Sequence, residues 1–145
     1  MYKRQDLRRL GVPDAELDSA LARVTSALEA ASADERARWL FAPHAEAQSE
    51  LRLTGLIGDE RVDVAIDRTF VDTDAVRWIV DYKTGVHEGA DRQGFLDNER
   101  ERYRPQLERY AVLMARLDAR PIRLALYFPL MRGWREWEPG AIDAP

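Results

Sequence analysis

The chain has 145 residues, of which 46% are hydrophobic and 33% charged, enough apolar material for one independently stable core. A net charge of -4 excludes a protein that coats nucleic acid by charge alone, and the lack of cysteine excludes a disulfide framework and thiolate-ligated zinc. No apolar run approaches the ~20 residues that span a bilayer, and Met1-Tyr2-Lys3-Arg4-Gln5-Asp6 is not followed by the apolar stretch of a secretory signal, so a cytoplasmic protein with no membrane partner is expected.

In chain order, Leu17, Ala20, Leu21, Val24, Leu28 and Ala31 recur at helical spacing and predict an amphipathic helix from Pro13 to Ser32, opened by Pro13-Asp14. A short second helix is predicted from Asp34 to Phe41, stopped near Pro43. From Glu50 the period changes to two. Strands are predicted from Glu50 to Thr54, Arg61 to Val71 and Val76 to Lys83, with turns at Gly58-Asp59 and Asp72-Thr73-Asp74, and together they read as an antiparallel meander. The stretch from Val86 to Asn98 is rich in Gly, Asp and Gln and has little periodicity, which predicts a mobile loop that begins to turn helical at Phe95-Leu96. A helix follows, with Pro105 in its first turn and an apolar stripe of Leu107, Tyr110, Ala111, Met114 and Leu117. Pro121 to Pro129 predicts a buried strand, and Gly133 to Trp137 a short hairpin arm paired back on it. The order α, β, β, β, α, β with an added edge strand is an α/β (α+β) arrangement.

Alternation in the third strand places Arg77, Ile79, Asp81 and Lys83 on one face and Val76, Trp78, Val80 and Tyr82 on the other. Asp81 and Lys83 therefore project together. An acid and an amine so placed can hold a hard divalent cation while keeping an ammonium beside the phosphate or water that the cation activates. In the second strand Ile66 lies on the side of Val62 and Val64, which turns Asp67 to the opposite side. If this strand pairs with the third, two carboxylates from adjacent strands can converge, a pair that suits magnesium.

Ala65-Ile66-Asp67-Arg68, then Trp78-Ile79-Val80-Asp81-Tyr82-Lys83-Thr84, then Tyr103-Arg104-Pro105-Gln106-Leu107-Glu108-Arg109-Tyr110, resembles the nuclease signatures of the RecB and AddA proteins in order and spacing: G-x-x-D, D-Y-K-T and Q-L-x-x-Y. The resemblance is to the PD-(D/E)XK nuclease domain of UvrD/REP-like superfamily 1 helicase-exonucleases, and runs from about Glu50 to Trp137. It implies a restriction-endonuclease-like core, a central mixed sheet flanked by helices, preceded by an N-terminal helical segment. Residues 1–145 would then be one nuclease-like domain truncated at its N-terminus, with a helical segment over 1–45 and the core over 46–138.

The same resemblance implies roles. Asp67 and Asp81 would be metal ligands, with the backbone carbonyl of Tyr82 as a third, holding magnesium or, in its place, manganese. Lys83 would orient the attacking water or stabilise the charge developing on phosphorus. Gln106, counted with Lys83, Asp81 and Asp67 as catalytic, and Tyr110 lie four apart on one helical face, suited to reach the DNA backbone or support the metal shell. Glu50 stands where the family carries an acidic residue at the start of its first strand. The implied activity is phosphodiester hydrolysis on single-stranded DNA or duplex ends, beside a helicase motor in cis or in trans, in recombination and repair. ATP would be handled elsewhere, because the chain has no phosphate-binding loop motif. Two departures stand out. Ala65 replaces the family glycine, and no Gly-Thr-x-x-His-like helix precedes the core, which implies poor cleavage by this chain alone and keeps a rival in view: an inactive nuclease-fold module that binds DNA or a helicase partner.

Several residues carry plainer readings. Asp81-Tyr82-Lys83 alone would fit a solvated ion pair, and only the order of the three motifs favours a site. Tyr110 also serves the apolar stripe. His44 and His87 read as exposed loop residues, and Trp78 and Trp134 as core or sheet cover. Arg100, Arg102, Arg104 and Arg109 could steer phosphates, but the interleaved Glu99, Glu101 and Glu108 make an ion-paired helix surface an equal account.

Overall fold

The structure, a computed structural model, describes residues 33–141 together with Glu16, Ser19 and Ala22. The helix predicted from Pro13 to Ser32, and with it most of the N-terminal helical segment, lies outside the described residues. The chain divides into two compact units, Met1–Leu40 and Phe41–Pro145. In the first, the short helix α1 (Glu35–Leu40) has Ala37 and Leu40 buried, close to the predicted bounds. The Asp34 side chain accepts the Arg36 N–H at 2.9 Å, meeting one of the donors that a helix start leaves free.

The second unit is built on a five-stranded sheet with the order β1-β2-β3-β4-β5. Strands β1 (Ala45–Ile57), β2 (Glu60–Val71) and β3 (Arg77–Tyr82) form the expected antiparallel meander. β1 begins five residues earlier than predicted, because its opening residues Glu46, Gln48 and Ser49 are exposed and polar and carry no apolar alternation. Gly58, at φ +60, makes the first turn, a conformation that costs glycine nothing. The second turn is locked by Asp72, whose Oδ1 accepts the N–H groups of Asp74 and Val76 at 2.9 and 3.0 Å.

Helix α2 (Arg92–Ala115) then carries the chain across to β4 (Ile122–Phe128), which pairs in parallel with β3 and makes the sheet mixed. A 3-10 turn, Pro129–Met131, leads to β5 (Gly133–Trp137), antiparallel to β4 at the predicted bounds. The helix begins at Arg92, three residues before Phe95-Leu96, where the stretch from Val86 to Asn98 is expected to start turning helical, and Pro105 stands in the helix interior instead of its first turn. Two facts outweigh the weak local propensity. The Asp91 carboxylate caps the helix by accepting the Gly94 N–H at 2.8 Å, and Leu96, only 1% exposed, is driven into the core. The hydrogen bond that Pro105 cannot donate is lost inside a helix anchored on both sides of it, by Leu96 before and by Leu107, Tyr110, Ala111 and Met114 after. Leu117 does not join the stripe. It lies beyond the Arg116 cap and is 71% exposed.

The core lies between α2 and one face of the sheet, where Ile66, Ile79, Leu124, Leu126 and Phe128 meet Leu96, Leu107, Ala111 and Met114. The opposite face carries aromatic rings: Phe70 lies 6.4 Å from Trp78, and Trp134 lies 6.0 Å from Trp78 and 6.2 Å from Tyr127, so both tryptophans cover the sheet as expected. The two histidines are half-buried, not exposed as predicted, because each finds an aromatic partner: His44 stacks on Phe70 at 4.1 Å and His87 on Phe95 at 4.9 Å. Among the described residues no helix is long and apolar enough to cross a membrane.

Candidate active site

The site forms where β2 and β3 part. Their ladder ends at the pair Arg68↔Val80, and past that point the Tyr82 N–H donates to Asp67 Oδ2 at 2.8 Å, a carboxylate standing in for a backbone acceptor. Asp81, 5% exposed, lies one residue before Tyr82, and Lys83 one residue after, tied to β4 by its N–H bond to the Tyr127 carbonyl at 2.9 Å. As alternation predicted, Asp81 and Lys83 point the same way, and Lys83 Nζ lies 2.7 Å from Asp81 Oδ2.

Asp67 reaches the same cleft by a route that strict alternation does not allow. Ile66 packs in the core under α2, so alternation would send Asp67 to the far face. Instead Asp67 and Asp81 line one cleft, because the pleat slips in both strands at facing rungs. In β1, Gln48 and Leu51 face the same side, and in β2 so do Ile66 and Thr69. Glu50 sits within that slip, between the pairs Ser49↔Arg68 and Leu51↔Ile66, with φ +54. Its side chain is exposed and does not line the cleft, so the structure does not bring Glu50 to Asp67 and Asp81 as an acid.

Helix α2 forms the other wall, presenting Arg102, Tyr103, Gln106, Arg109 and Tyr110 to a cleft of about 670 Å³. Gln106 Nε2 donates to Tyr110 Oη at 2.6 Å, so these two stand together, with Tyr110 buried in the core and touching the cleft. Tyr103 is the residue whose role the sequence reading missed. The Lys83 ammonium lies over its ring, 3.6 Å from the centroid. The signal was present: Tyr103, Gln106 and Tyr110 follow helical i, i+3, i+7 spacing. The Tyr82 side chain leaves on the opposite face, 5.8 Å from Phe41.

The arginines separate into two kinds. Arg100 and Arg104 are tied to Glu101 at 3.0 Å each, as an ion-paired helix surface requires. Arg109 lines the cleft with no ion pair among the described residues, and Arg102 lines it with only Glu99 at 3.6 Å.

Burial pushes the Asp81 carboxyl up to about 6, opposed by the Lys83 ammonium and reinforced by the Asp67 carboxylate beside it. Burial likewise raises the Tyr110 phenol, with the negative charge of Asp81 adding to it. Among the described residues no group of three or more His, Cys, Asp or Glu side chains comes together. The pair present nonetheless fits a hard cation. Asp81 Oδ2 is buried and meets no donor other than the Lys83 ammonium with which it forms an ion pair. Two adjacent carboxylates of which one resists ionisation are what a divalent ion relieves, and magnesium takes few protein oxygens while keeping its waters.

The family model of the PD-(D/E)XK nuclease superfamily matches residues 2–140. No curated protein matches the chain.

Proposed function

Because the chain belongs to the PD-(D/E)XK nuclease superfamily, we propose that it is a metal-dependent deoxyribonuclease of the RecB and AddA type, hydrolysing DNA phosphodiesters beside a helicase motor in recombination and repair. The observation that carries this reading is the convergence of Asp67 and Asp81 where β2 and β3 part, with Lys83 held 2.7 Å from Asp81. Asp67, Asp81 and the Tyr82 carbonyl would hold magnesium, or manganese in its place. When bound, the ion supplies charge that offsets the phosphate's and acidity that activates a water. Lys83 keeps a fixed positive charge at the phosphate, aimed where negative charge grows in the transition state. Gln106 is exposed at the cleft and reaches the DNA backbone, while Tyr110, fixed by it, shapes the wall behind the carboxylates. Arg109 and Arg102 add positive charge where a strand enters, so the net charge of the chain does not oppose local phosphate binding.

The test is single-turnover cleavage of labelled single-stranded and duplex-end oligonucleotides with magnesium or manganese. The wild type should cleave slowly and only with metal. Asp81→Asn should lose both cleavage and metal binding, and Lys83→Ala should lose cleavage with metal binding retained. A wild type that binds these oligonucleotides yet never cleaves them would replace this reading with the second one, an inactive nuclease-fold module, which the lack of a third acidic or histidine ligand among the described residues favours.

A further inference from the structure

Resting on that reading of the site, we propose that the ring of Tyr103 is the seat of the Lys83 ammonium, a positioning residue that keeps the charge in the cleft when Asp81 turns its oxygens to a metal ion. Lys83 has two partners, the Asp81 carboxylate at 2.7 Å and the Tyr103 ring at 3.6 Å. Only one of them survives metal binding. A carboxylate that coordinates a divalent ion gives most of its charge to that ion, and the like charge of the ion repels the ammonium. An ammonium on a four-carbon stem, released in this way, would swing toward water. The face of an aromatic ring holds a cation through its quadrupole and does not compete for the metal, so the seat outlasts the change at Asp81.

Three features of the structure point to the ring face and not to the phenol oxygen. Tyr103 Oη makes no hydrogen bond among the described residues, whereas Tyr110, two turns along the same helix face, has its oxygen engaged by Gln106. The Lys83 side chain is only 19% exposed, so its stem is held against protein and the ring contact is partly dry, where a cation and a ring attract most strongly. Arg102 also lies over the Tyr103 ring, 5.2 Å from the centroid, placing a second cation next to the seat. The seat joins two elements far apart in sequence, the end of β3 and the middle of α2.

The experiment pairs a spectroscopic readout with kinetics on the full chain and two variants, Tyr103→Phe and Tyr103→Leu. In the metal-free protein the Lys83 side-chain protons should be shifted upfield by the ring, equally in wild type and Tyr103→Phe, and should return to an ordinary lysine position in Tyr103→Leu. Adding magnesium alone should leave that shift in place in the first two proteins. In single-turnover cleavage Tyr103→Leu should lower the rate on the order of 10–10²-fold, the scale of a small misplacement of a reacting group, with substrate affinity within about twofold and Tyr103→Phe unchanged. A Lys83 signal with no upfield shift in wild type, or one lost on adding magnesium, overturns the proposal. So does a Tyr103→Phe rate as low as that of Tyr103→Leu, which would assign the effect to the phenol oxygen. If the wild type never cleaves DNA, the nuclease reading fails by itself, and the magnetic resonance measurements still decide whether Tyr103 seats Lys83.

Discussion

Replacing Asp81 by Asn removes a charge that the fold itself disfavours, and the size of the effect follows from the burial of that carboxyl. The group moves from an ordinary 3.8 to about 6, a rise of about two units at 1.36 kcal/mol each, or roughly 3 kcal/mol as an upper figure for the cost of ionising it in the folded chain. Its folded value lies above its unfolded value. The protonated carboxyl's contribution to stability is therefore fully present below about pH 4 and is lost as the pH rises toward about 6, beyond which the loss is constant. Asparagine has no such loss. In a chelating buffer Asp81→Asn should match the wild type near pH 4 and exceed it above pH 6 by about 1–3 kcal/mol, the lower values applying if the amide holds Lys83 less well. For a chain of this length that is a rise in Tm of roughly 3–10 °C. Saturating magnesium should reverse the order, raising the wild type by mass action and leaving the variant unmoved. Thermal unfolding from pH 4 to 8, with and without magnesium, measures all of this. A variant less stable than wild type at pH 8 in chelator, a difference that does not change with pH, or equal magnesium shifts in both proteins would refute the argument.

Two further outcomes follow from packing. Leu96→Ala should cost roughly 2–5 kcal/mol in chemical denaturation, because Leu96 is buried against the sheet; amide exchange at 95–98 as fast as in free peptide would show instead that the first turns of α2 do not dock. Arg77 is buried and paired with Asp118 at 2.8 Å and with Glu46. Arg77→Met should destabilise the fold by about 3 kcal/mol, the low end for breaking a buried pair, since Arg120 still reaches Asp118 at 3.0 Å. A variant as stable as wild type in urea would mean that this ion cluster contributes nothing net.

Much of the architecture was legible along the chain because its signals are local. Period-two alternation with Gly58-Asp59 and Asp72-Thr73-Asp74 marked β2, β3 and their turns, and the apolar run from Ile122 to Phe128 marked β4. The shared direction of Asp81 and Lys83 follows from alternation within one strand, so it too was readable. What only the tertiary structure decided depends on partners distant in sequence. Helix α2 starts at Arg92 because Leu96 has a core to enter, although Gly94 and the polar residues around it argue locally for a loop. Asp67 turns into the cleft because the pleat slips on the rung it shares with Glu50 and because the Tyr82 N–H, left over where the ladder ends, takes its carboxylate. Tyr103 meets Lys83 only because α2 crosses the end of β3. Strand period and turn chemistry are properties of neighbouring residues, and the sequence by itself determined them; the meeting of side chains from separate elements is set by how those elements pack, and that needed the fold.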